Sequence, residues 1–69
     1  MFDKNRFRAQ LALRGMTLRE LAASLHINES TLYRKINADG DFSRDEINRM
    51  IEILNIEDPM GIFFTTELA

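Results

Sequence analysis

The stretch Leu25-His26-Ile27-Asn28-Glu29-Ser30-Thr31 (LHINEST) separates two runs that both carry helical spacing. Upstream, Leu18, Leu21, Ala22 and Leu25 recur on one face; downstream, Leu32 and Ile36 recur at i, i+4. Asn28 is a favoured N-cap residue, so His26 and Ile27 alone must make the turn. A connection this short crosses its helices steeply and generally needs one residue with positive φ. Glycine does that at least cost, and histidine is among the other residues enriched there. His26 is therefore expected in the left-handed conformation, with Ile27 pointing inward as a plug between the helices. The His26 side chain itself reads as a solvent-exposed loop residue, and no catalytic or metal role is expected of it, so its φ matters more than its imidazole.

Working outward, the same punctuation recurs. Thr17-Leu18-Arg19-Glu20 is a capping box that opens the helix before the turn. Asp3 caps an earlier helix that stacks Phe7 and Leu11 and meets Gly15 at its C′ position. Beyond the turn chemistry of Asn37 to Asp41, Ser43-Arg44-Asp45-Glu46 is a second capping box, followed by Ile47, Met50, Ile51 and Leu54 on one face. Asp58-Pro59 then reads as N-cap and first-turn proline of a short helix holding Ile62 and Phe63. No window alternates apolar and polar residues over a strand length. The expectation is one all-α, compact five-helix domain over residues 1–69, with helices at about 4–14, 18–25, 29–37, 44–55 and 59–64 and a frayed end from Thr65 to Ala69. Met1, Met16, Met50, Met60 and the remaining phenylalanines are expected in the packing.

Sixty-nine residues allow one core and leave no second domain for a separate activity. The chain has no cysteine and one histidine, so disulfides and thiolate metal sites are excluded and His26 has no imidazole partner. No phosphate-binding glycine loop, nucleophile elbow or paired inward carboxylates occur, so neither an enzyme, a cofactor nor a small-molecule substrate is expected. Apolar runs reach only three residues, which argues for a soluble, cytoplasmic protein with no membrane segment. The net charge of −2 is unevenly distributed. Residues 1–37 carry seven Lys and Arg against three acids, a balance of +4; residues 38–69 carry two against eight, a balance of −6. Such polarity lets one face attract a polyanion.

Thr17 to Ile36, TLRELAASLHINESTLYRKI, resembles the helix-turn-helix of the phage repressor, Cro and XRE-type DNA-binding family. Leu21, Ala22, Ile27 and Leu32 fall at that family's apolar positions, Ala22 being the small residue where the helices touch. His26 stands where the family usually has glycine and Leu18 where it often has glutamine. The five-helix plan extends the resemblance, of lambda-repressor type, over roughly residues 3–64, and TLYRKIN followed by F-S-x-x-E-I is similar to small phage-type regulators.

The resemblance implies that helix 29–37 enters the major groove, with Glu29, Ser30, Tyr33 and Arg34 at base edges. Arg34 would take guanine O6 and N7, and Glu29 a cytosine amino group or its own helix N-terminus. Phosphates would be met by Thr17, Leu18 and Arg19 at the start of the first motif helix, by Asn28, and by Lys35 and Asn37 at the far end. It further implies a homodimer on a palindromic double-stranded operator, with Ile62, Phe63 and Phe64 as interface candidates, because they cannot all face inward from one short helix. The function implied is a Cro-like repressor of phage or prophage origin. Two other readings stay open: an antitoxin or DNA-bound adaptor whose acidic, aromatic C-terminal segment binds a protein, and an interaction domain that has kept this fold without DNA binding.

Overall fold

The computed structural model describes residues 1–64, and the expected fraying of Thr65 to Ala69 lies outside them. Among the described residues five helices follow one another: α1 (Lys4–Arg14), α2 (Leu18–Ser24), α3 (Glu29–Asn37), α4 (Arg44–Leu54) and α5 (Met60–Phe63). No strand occurs among the described residues.

Starts and stops obey local chemistry. Asp3, Thr17 and Ser43 accept the N–H of Arg6, Glu20 and Glu46, and both capping boxes are closed in each direction. Three helices end in the same way. At the ends of α1, α2 and α4 a left-handed residue is followed by an apolar one: Gly15-Met16, His26-Ile27 and Asn55-Ile56, with φ of 63°, 59° and 50° at the first of each pair. In each pair both N–H groups turn back onto the helix in a Schellman motif; Ile27 donates to Ala22 O at 3.0 Å and His26 to Ala23 O at 3.1 Å. The apolar follower then folds under its helix. Ile56 is buried, and Met16 and Ile27 pack half-buried against the core.

Boundaries differ from the sequence reading where local signals conflict. Helix α2 stops at Ser24, one residue early, because Leu25 already belongs to the turn geometry, and α4 stops at Leu54 because Asn55 takes the left-handed conformation. Helix α5 is a single turn from Met60; Pro59 sits at the cap position, and Asp58 Oδ1 accepts Gly61 N–H at 3.2 Å. Asn28 occupies the cap position of α3, but its side chain makes no capping hydrogen bond.

The core joins all five helices through Phe7, Leu11, Leu21, Leu32, Ile36, Met50, Leu54, Ile62 and Phe63. Phe2, Phe7, Phe42 and Phe63 cluster with ring centroids 5.3–6.3 Å apart, an arrangement that favours tilted and edge contacts. This cluster fixes the N-terminal segment: Phe2 N–H donates to Asp39 Oδ1 at 3.1 Å and Asp3 N–H to Ile62 O at 2.7 Å. Gly40 takes φ 70° and lies so close to the Phe2 ring that any Cβ there would collide with it. Met50 is fully buried, but Met1 and Met60 stand in solvent, 62% and 64% exposed, so those two are not packing residues as expected.

Candidate nucleic-acid interface

Helix α3 presents two unlike faces. Leu32 and Ile36 are at most 1% exposed, and Thr31 and Lys35 are half-buried beside them. Glu29, Ser30, Tyr33, Arg34 and Asn37 are exposed on the other side. At helical spacing Ser30, Arg34 and Asn37 form one ridge with Tyr33 along its flank. The turn holds this ridge outward. His26 supplies the reversal, Ile27 lies against the core, and Leu21, Ala22 and Leu25 of the α2 arm are buried beneath α3.

The expected base-reading residues are thus brought together on one exposed face. Arg34 makes no ion pair among the described residues, and Arg19 on α2 makes none either. Both guanidinium groups therefore keep their donors for an external acceptor.

The other expected phosphate contacts are differently placed. Thr17 is occupied by its own cap: its N–H and hydroxyl both donate to Glu20 Oε1, at 3.0 and 3.1 Å, and its hydroxyl accepts from Glu20 N–H. Those hydrogen bonds, first the one from the Thr17 backbone, hold the Glu20 carboxyl below its ordinary value, so a negative charge sits beside the α2 start. Leu18 is half-buried, its side chain turned to the core, which leaves its backbone N–H as the group at issue. Asn28 is exposed, and its carboxamide does not cap.

Lys35 has a partner that sequence spacing did not announce. Its ammonium lies 2.7 Å from both Glu46 oxygens, and the two side chains are 20% and 14% exposed. Burial pushes the Glu46 carboxyl up, but the Lys35 hydrogen bond, the Ser43 hydrogen bonds and the Lys35 charge outweigh it and leave the group below its ordinary value. Glu46 also accepts Ser43 N–H, so one carboxylate ties α3 to the start of α4.

Lys4 was missed by the sequence reading. Its ammonium donates to Asn37 Oδ1 at 3.2 Å, which puts a cation at the C-terminal end of the α3 ridge. The only sequence signal was the basic excess of the first half, since 33 residues separate the pair.

Of the interface candidates, Ile62 and Phe63 are corrected: they are 3% and 6% exposed inside the chain's own core, because α5 closes over α1. Phe64, 51% exposed, is the one that faces solvent. Among the described residues no helix is long and apolar enough to cross a membrane, and none of them form a cluster of metal-binding side chains.

Comparison with curated proteins and with solved structures gave no match. A family model described as a Cro/C1-type HTH DNA-binding domain matches residues 6–59, a span that holds the turn, both helices packed around it and the whole of α4. With most of its length matched and an exposed ridge on the second helix of the motif, the chain belongs to the Cro/C1-type HTH DNA-binding domain family.

Proposed function

We propose that this DNA-binding domain is a sequence-specific transcriptional regulator that sets α3 in the major groove of a duplex and acts as a repressor of the Cro type, carried by a phage or prophage. The observation that supports it is the ridge of Ser30, Arg34 and Asn37 flanked by Tyr33, exposed on a helix whose opposite face is sealed into the core. Arg34 is the base-reading residue, donating two hydrogen bonds to one guanine; Ser30, Tyr33 and Glu29 read adjacent base edges. Arg19, Asn28, Asn37 and the backbone at Thr17 and Leu18 hold phosphates and set the register. Lys35, engaged by Glu46, contributes less charge there than a free lysine would.

One α3 spans only a few base pairs, so two copies act on a palindrome with half-sites about one helical turn apart. Selection of bound duplexes from a random pool tests this directly. The expected result is an inverted repeat with a guanine in each half-site, and Arg34→Ala should flatten the preference at that position by about 1–3 kcal/mol while leaving the others. A pool that emerges without sequence enrichment, or an Arg34→Ala protein with the same base ranking, would refute the readout.

A further inference from the structure

Helix α3 carries two adjacent cations in its last turn, Arg34 and Lys35, and the fold treats them oppositely. Arg34 stands exposed on the ridge without an ion-pair partner among the described residues. Lys35 lies half-buried on the flank turned toward α4, its ammonium 2.7 Å from each oxygen of Glu46. The two kinds of charge act differently on DNA. A guanidinium at a base edge strengthens binding only where the matching base stands, whereas a free ammonium beside the groove strengthens binding to every duplex, because any phosphate accepts it. Withholding Lys35 therefore weakens the sequence-independent part of the affinity alone.

Glu46 is built to withhold it. Its carboxylate also accepts Ser43 N–H at 2.9 Å while its own N–H donates to Ser43 Oγ at 3.1 Å, so the acid is fixed at the start of α4 and cannot follow the lysine outward. Burial raises the Glu46 carboxyl, yet the hydrogen bonds from Lys35 and Ser43 leave it below its ordinary value of 4.5, so the acid is charged at neutral pH. The side chains of Lys35 and Glu46 are 20% and 14% exposed, whereas those of Arg49 and Asp45, paired farther along α4, are 48% and 76% exposed. Water and salt open a pair of the second kind readily, and a nearby phosphate competes with it on equal terms. Opening the first leaves a carboxylate largely cut off from water without its partner, at a much larger cost.

We propose that Glu46 is a specificity-determining residue of this domain: as a fixed internal counter-ion it keeps Lys35 from DNA phosphates and so lowers binding to non-specific duplexes, while Arg34, Ser30 and Tyr33 remain free to read bases. The proposal deepens the function above and rests on α3 being the helix that meets DNA. Glu46 is a positioning residue, acting through Lys35 and touching no DNA itself.

The test is a fluorescence-anisotropy titration of the full chain against two duplexes, one carrying the selected site and one of scrambled sequence, at several salt concentrations. Glu46→Gln is the informative substitution, because glutamine keeps an acceptor for Ser43 N–H, as a capping box allows, and removes the charge that holds Lys35. It should strengthen binding to the scrambled duplex about fivefold near ~0.1 M salt, steepen the salt slope there by about 1, and lower the ratio of site to scrambled affinity by a similar factor. Adding Lys35→Met to it should return the slope to the wild-type value. Glu52→Gln removes an exposed acid of the same helix that has no ion-pair partner among the described residues; it changes net charge equally and should leave the slope unchanged. Thermal melts of the same variants report folding separately, since a salt slope counts phosphate contacts and not stability. A Glu46→Gln slope equal to wild type, a gain that persists in the double variant, a Glu52→Gln protein with the same gain, or a site-to-scrambled ratio that does not fall would each overturn the proposal. The two readings fail separately. If a site is enriched but the slopes do not move, the restraint on Lys35 is wrong and the function stands; if no site is enriched but the scrambled-duplex slopes move as described, sequence reading is wrong and the restraint stands. A chain that binds no duplex with or without Glu46→Gln overturns both.

Discussion

His26 carries its weight through its backbone. At φ 59° it pays the steric cost that a β-carbon imposes in the left-handed region, about 1–2 kcal/mol, and its imidazole is exposed. Glycine would relieve that cost but loosen the unfolded chain by about 0.5–1 kcal/mol, so His26→Gly is expected within about 1 kcal/mol of wild type, on the stabilised side. A β-branched residue has no such relief: His26→Val should lose about 1–2 kcal/mol. Urea unfolding of both variants decides it, and a strongly destabilised glycine variant would mean that the imidazole contributes after all. The same local reasoning explains Asn55, whose φ of 50° ends α4, and Gly15, whose φ of 63° ends α1.

At the scale of elements, α3 is held on two sides. Leu32 and Ile36 seal it against the core, and Lys35 reaches Glu46 at the start of α4. Because the folded Glu46 carboxyl lies below its ordinary value of 4.5, its contribution is present above that pH and is lost as pH falls through the lowered value. Glu46→Gln should therefore destabilise the domain by about 1–2 kcal/mol at neutral pH, between the usual values for exposed and buried pairs. The gap between variant and wild type should shrink as the medium is acidified below 4.5. Urea midpoints measured across that range check the sign, and a gap that widens in acid would show that the pair does not act this way. Helix α5, four residues long, is too short to form alone and depends on Ile62 and Phe63 being packed against α1.

Across the whole molecule, net charge conceals what matters for a polyanion. The chain totals −2, yet Arg19 and Arg34 are without ion-pair partners among the described residues while Lys35 is neutralised within the fold. DNA affinity should fall steeply with salt, and Arg19→Ala should weaken binding to all duplexes alike and reduce the salt slope by about 1. Titrations at several ionic strengths measure this; an unchanged slope would remove Arg19 from the phosphate contacts. Lys35→Ala, by the same logic, should cost stability more than slope.

The sequence alone determined the number and order of the helices, the left-handed turn at His26, the two capping boxes and the composition of the α3 ridge. Each of these depends on residues within about two helical turns of one another, where steric and hydrogen-bonding preferences act before any tertiary contact forms. Only the folded chain decided that Lys35 is bound to Glu46 and Lys4 to Asn37, that Ile62 and Phe63 turn inward while Phe64 does not, and that α4 and α5 leave a groove between them. Those outcomes depend on which faces meet once the helices pack, and the spacing of residues within a single helix does not encode the relative placement of two.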